Sequence, residues 1–230
     1  MSDLTIVFPL YPGVTHLDFT GPHQVMSRIP GAKIIVASAG GADIEADGLT
    51  FTGLTDLAKV EACDVLCIPG GFGTTAAMLD EAFMADINRL AAGAKYLTSV
   101  CTGSLILAAT GRLKGKRATC HWAWKDQLKP FGVIVTEGRV VRDGNVITGG
   151  GVTAGLDFAF TMVAELAGET LAQSIQLGLE YSPAPPFDAG SPETAPPEIL
   201  AAVRAMMSGA MASRQGAAEE AARRLEAAAP

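Results

Sequence analysis

Cys101 stands in the middle of "YLTSVCTGSLILAATG" (96–111), where an apolar run ends at the thiol and Thr-Gly-Ser leads into helix-forming residues. That order is the strand, sharp turn and helix of a nucleophile elbow. A helix start presents partial positive charge and free N–H groups to the sulfur, which favours thiolate over thiol. The competing reading is a cysteine that only packs. The elbow setting, with Gly103 relieving steric crowding, favours a nucleophile.

Three other stretches hold groups that could act with that thiol. "YPGVTHLDFTGPH" carries Asp18, which either caps a helix beginning near Pro22 or sets a carboxyl beside the sulfur. Next to a thiolate such a carboxyl has a raised pKa and can hold a proton to donate. In "IPGGFG" the glycines let backbone approach a ligand closely, making the Gly71 N–H a candidate donor to developing negative charge, alongside the Thr102 N–H. A plain tight turn is the alternative there. His121, in "TCHWAWKD", is read as starting a helix; it either supports the site or packs beside Trp122. The other histidines are His16 and His23, so a Cys-His-Glu triad with a late histidine is not available. No His, Asp, Glu or Cys cluster has metal-ligand spacing, and no phosphate-binding glycine fingerprint is complete.

These residues need a frame that brings them together. Apolar runs rich in Val, Ile and Leu recur at 4–8, 33–38, 64–71, 95–101, 133–137 and 145–151. Continuous runs of this kind suit strands covered on both faces. Between them lie helical patterns, one after Gly21 with Pro22 as its first residue, one from Asp80 to Gly93, and one framed by Gly103 and Gly111. The alternation predicts an α/β fold, a mostly parallel sheet sandwiched between helices, with ligands at the carboxyl ends of the strands. Residues 40–53 read as a small hairpin turning on Asp47-Gly48. Residues 182–197 are too proline-rich for a helix and read as an extended connector. Beyond it, two segments are helical by propensity, with Glu219/Arg223 and Glu220/Arg224 at i,i+4.

Composition limits the partners. The 230 residues are 49% hydrophobic, with 26 glycines and 13 prolines, and fit one large globular domain. A net charge of -7 without any basic cluster opposes nucleic-acid binding. No apolar run reaches the roughly 18 residues of a membrane span, and the N-terminus lacks the pattern of a targeting segment. Cys63, Cys67, Cys101 and Cys120 form neither a zinc pattern nor a disulfide framework, so a reducing cytoplasm is the expected location. Cys63 and Cys67 read as small buried hydrophobes.

Taken together, "DFTGP", "IPGGFG", "SVCTGS", "GKRATCHW" and "VITGGGVTAGLDFAF" resemble the ThiJ/PfpI superfamily, and within it the isocyanide hydratase branch. The likeness runs from residue 4 to about 180 and continues through "LEYSPAPPFDAGSP". It implies a flavodoxin-like domain over 1–181, with a connector and C-terminal helical extension over 182–230 packing on the same domain or on a dimer partner. Asp18 stands where many members carry glutamate, and Thr102 where peptidase-like members carry histidine; both disfavour peptide cleavage. The resemblance implies that Cys101, Asp18 and Thr102 form the active constellation, that a small isocyanide is hydrated without a cofactor, and that the protein is a homodimer. Competing readings are a glyoxalase or deglycase acting on small dicarbonyls, a redox or stress sensor that oxidises Cys101, and the sensing domain of a transcription regulator. The last is disfavoured because the residues after Tyr181 do not read as a DNA-binding module.

Overall fold

A computed structural model describes residues 4–228; the ends of the two expected segments, 1–3 and 229–230, lie outside the described residues. The strands are β1 (Thr5–Leu10), β2 (Lys33–Ser38), β3 (Ile44–Ala46), β4 (Leu49–Phe51), β5 (Thr55–Asp56), β6 (Val65–Ile68), β7 (Tyr96–Val100), β8 (Arg117–Ala118), β9 (Ile134–Val135), β10 (Val140–Asp143) and β11 (Val146–Gly149). The helices are α1 (Leu17–Met26), α2 (Thr74–Ala77), α3 (Glu81–Gly93), α4 (Gly103–Ala108), α5 (Ala154–Ala167), α6 (Glu169–Gly178) and α7 (Pro197–Ala228). No described helix is long and apolar enough to cross a membrane.

Seven strands form one sheet in the order β10-β11-β7-β6-β1-β2-β5, and every pairing except β10 with β11 is parallel. Its central strands β1, β6, β7 and β11 are buried almost throughout, as apolar runs covered on both faces must be. α1 packs on α5 and α5 on α6, while α4 lies against β6 and β7. Parallel pairing aligns the carboxyl ends of β1, β6, β7 and β11, through registers such as Ile68 with Ser99 and Val100 with Gly149. The loops leaving those ends therefore converge at one edge.

The expected hairpin is β3–β4, with Asp47 at φ 50° and Gly48 at φ 81°, the left-handed pair that a tight two-residue turn requires. Asp80 caps α3 by accepting from the Phe83 N–H at 3.0 Å.

Several expectations need correction. α1 begins at Leu17 and not near Pro22, which lies inside the helix. One missing backbone hydrogen bond is tolerated where the helix buries Phe19, Val25 and Met26. The run at 133–137 contributes only β9, paired with β8 in a separate two-stranded sheet. The antiparallel strand β10 takes the sheet edge instead, joined to β11 by a turn at Gly144-Asn145. His121 does not start a helix; a 3₁₀ helix follows later, over Lys125–Phe131. The C-terminal segments form one continuous helix, α7, and of the two anticipated pairs only Glu220–Arg224 forms, at 3.0 Å. Glu219 accepts instead from Gln215.

α7 lies against α2 and the 3₁₀ helix of its own chain. Ala217, Ala218, Ala221 and Ala222 form its buried stripe, and their small size allows close approach.

Candidate active site

Cys101 occupies the turn between β7 and α4 with φ 58°, a strained left-handed conformation for a residue with a Cβ. Its backbone N–H is held by the carbonyls of Gly149 at 3.1 Å and Gly150 at 2.8 Å, which tie it to the end of β11. Two residues on, the chain must carry glycine: a Cβ on Gly103 would lie 2.0 Å from the Ile68 carbonyl oxygen. The sharp elbow read from the sequence is present, and it turns the thiol toward the loops that leave β1 and β6.

Asp18 reaches the same place from the first turn of α1. It caps nothing. Its Oδ2 accepts the Gly70 N–H at 2.9 Å, and Oδ1 is buried without a partner among the described residues. A side chain on Gly70 would collide with Thr102 and with Asp18 Oδ2, at 2.5 to 2.8 Å, so the glycine pair after β6 is what lets carboxyl, backbone and elbow meet. Asp18 is fully buried, and burial pushes its pKa from 3.8 up to about 7, against the lowering effect of the Gly70 N–H and of the Cys101 thiol beside it.

The thiol is pushed in the same direction. Burial, then the charge of Asp18 and the nearby Cys120, raise Cys101 well above 9; the N–H groups of Thr102 and Val152 pull the other way without reversing the shift. Burial thus opposes the thiolate that the helix start favours. α4 has only six residues, and its N-terminal field does not offset the loss of water. The thiol and the carboxyl each shift the other's pKa, so the two groups titrate as a coupled pair.

Thr102 anchors a chain of hydroxyls. Its Oγ1 accepts the Gly71 N–H at 2.9 Å and lies 2.8 Å from Thr74 Oγ1, which lies 3.0 Å from the Tyr11 hydroxyl; Tyr11 in turn donates to the Pro69 carbonyl at 2.8 Å. The Gly71 N–H, anticipated as a donor to developing negative charge, is thus engaged by Thr102. The N–H groups that bear on the sulfur are those of Thr102 and Val152.

His121 does reach the site. It lines a cavity of about 120 Å³ together with Cys101, Thr102, Gly71, Phe72 and Trp124. Its Nδ1 accepts the Ala123 N–H at 3.2 Å, and burial together with the charge of Arg214 lowers its pKa to about 4. The imidazole is held in its neutral form at neutral pH and forms part of the cavity wall. Among the described residues no group of three His, Cys, Asp or Glu side chains is placed to hold a metal ion.

Trp124, Val152 and Arg214 also line the cavity, and sequence reasoning did not single them out. Arg214 arrives from α7. Its signal was readable: Met207, Ala210, Met211, Arg214, Ala217, Ala218, Ala221 and Leu225 recur at helical spacing, and one arginine interrupts an otherwise small and apolar stripe.

A parallel sheet with a cysteine elbow at its carboxyl edge and a buried carboxyl beside the thiol defines a class of α/β proteins. The chain belongs to the DJ-1/PfpI family, whose sequence profile matches residues 4–165. It is 45% identical to a Pseudomonas putida protein named isonitrile hydratase, over 96% of this chain and 98% of that one. The crystal structure of a ThiJ/PfpI family protein from Pseudomonas syringae superposes with a TM-score of 0.92 at 44% identity, covering 95% of this chain and 91% of the other. Drosophila melanogaster DJ-1beta superposes at 0.69 with 29% identity, over 77% of this chain and 98% of its own. The elbow, the hairpin and the seven-stranded sheet are thus a family frame, and α7 lies beyond the residues that the family profile matches.

Proposed function

We propose that this protein hydrates an isocyanide, R–N≡C, to the N-substituted formamide, R–NH–CHO. The observation that carries the reading is the Cys101–Asp18 pair, buried together, with Cys101 lining a small cavity, in a chain nearly half identical to an isonitrile hydratase along its length.

The terminal carbon of an isocyanide accepts a nucleophile and then needs a proton on that same carbon. The pair supplies both. The Cys101 proton moves to the Asp18 carboxylate, sulfur bonds to the carbon, and the carbon's electron pair takes the proton back from Asp18, leaving a thioimidate, R–N=CH–S–Cys101. Asp18 is then a carboxylate again, and its pKa near 7 suits it to this exchange at neutral pH. Water adds to the thioimidate carbon, giving one proton to Asp18 and onward to the substrate nitrogen. The tetrahedral adduct, R–NH–CH(OH)–S–Cys101, collapses as the C–S bond breaks and the hydroxyl proton returns to sulfur. The products are the formamide and the free thiol. Thr102, locked between Gly71 and Thr74, directs its N–H at the sulfur and holds the elbow through both steps.

Formamide release from a simple alkyl isocyanide, measured for the native protein and for Cys101→Ala, tests the scheme. The variant is expected to lose roughly a thousandfold or more. Formation of formamide by Cys101→Ala at the native rate would overturn it.

A further inference from the structure

Arg214 is 1% exposed, yet among the described residues it makes no ion pair with a carboxylate. A guanidinium carries five N–H groups, and three are engaged here. Nε donates to Thr75 Oγ1 at 3.1 Å, and Nη2 donates to the carbonyls of Gly71 at 3.0 Å and Phe72 at 3.1 Å. Nη1 makes no hydrogen bond to any described residue. The plane lies 4.6 Å over the Trp124 ring, which holds its orientation. Arg214, Trp124 and Cys101 line the same cavity of about 120 Å³.

A buried cation is costly unless an anion or a full set of acceptors compensates it. The protein groups nearest to Arg214 do not. Two neutral carbonyls and one hydroxyl satisfy part of its donor set, His121 is neutral, and Asp18 is engaged with Gly70 and Cys101. The rest of the cavity wall is neutral, formed by Thr15, Phe72, Val152 and Met207. A planar cation with two free N–H groups is suited to receive a carboxylate. The small cavity sets the distance from that carboxylate to the carbon at the thiol to a short aliphatic spacer.

We propose that Arg214 makes this cavity selective for isocyanides that carry a carboxylate on a short chain. The proposal rests on the hydratase reading and names its substrate class. In this arrangement α7 is a specificity element, because it delivers the group that recognises the end of the substrate remote from the reacting carbon.

The test compares isocyanoacetate with isobutyl isocyanide, which has nearly the same shape and no charge, in the native protein, Arg214→Met and Arg214→Lys. In the native protein kcat/KM for isocyanoacetate is expected to exceed that for isobutyl isocyanide by roughly tenfold or more. Arg214→Met should abolish that ratio, whatever loss the two substrates share, and Arg214→Lys should keep part of it. A native protein that treats the two alike, or an Arg214→Met protein with an unchanged ratio, overturns the proposal. Calorimetric titration of the product N-formylglycine into Cys101→Ala, with and without Arg214→Met, reads the anion site without turnover. If neither isocyanide reacts with the native protein, the hydratase reading fails. The carboxylate site is then judged by N-formylglycine alone: binding lost with Arg214 supports it, and absence of binding overturns it.

Discussion

Asp18 should make this protein's stability depend on pH in a way that one substitution removes. In an unfolded chain its carboxyl ionises near 3.8; in the folded protein burial holds the proton until about 7. Between those values the folded state binds more protons than the unfolded state, so the stabilising contribution is full below about 3.8 and is lost as pH rises through 7. The interval corresponds to about 4 kcal/mol, a large part of the stability of a typical domain. Asp18→Asn keeps an oxygen for the Gly70 N–H and cannot ionise. Equilibrium urea unfolding of both proteins between pH 4 and pH 8.5 isolates the effect, because the other titrating groups are shared. The variant should gain about 4 kcal/mol relative to the native protein across that range, and should be the more stable of the two at the alkaline end while lacking activity. A difference that stays constant within about 1 kcal/mol would show that Asp18 ionises normally and would remove the basis for its role as proton carrier.

The same pair sets the rate profile and the effect of its neighbour. The reactive form holds one proton between thiol and carboxyl, so kcat/KM for an alkyl isocyanide should rise with pH through about 7 and then level off; a profile flat from pH 6 to 8.5 would refute the shared-proton scheme. Thr102→Val removes the acceptor of the buried Gly71 N–H and the partner of Thr74, and should cost roughly 1 to 3 kcal/mol with a parallel fall in activity that Thr102→Ser largely restores. Chemical denaturation and the isocyanide assay check both halves, and failure of the serine variant to recover would place the methyl group rather than the hydroxyl at the root of the effect.

The parts of the site legible in the sequence are those set by local pattern. The apolar run into Cys101 followed by Thr-Gly-Ser determines a strand, a strained turn and a helix within ten residues, and the structure holds Cys101 at φ 58° at that turn. Asp18 was legible as a candidate because its sequence neighbours follow a buried strand; that it meets Cys101 depends on β6 lying between β1 and β7, which pairing alone decides. The displaced start of α1 shows the limit of a local rule. Proline suits a first helical position, but tertiary burial of Phe19 and Met26 against the sheet and α5 extends the helix past it toward Leu17. β10 was missed because half of "VVRD" is charged and it lacks the continuous apolar run of a buried strand, as suits an edge strand. The environment of the thiol was only half legible for a related reason: a helix N-terminus is visible in sequence, whereas the depth at which it is buried, which raises the pKa of Cys101, is not. The stripe around Arg214 marks it as a buried position, but 113 positions separate it from Cys101 and an alanine-rich helix gives no sign of which site it covers. A charged residue that interrupts an apolar helical stripe must find compensation where the helix docks. In this chain that docking brings the charge to the cavity that Cys101 lines, so the terminal helix supplies part of the cavity wall and places a cation in it.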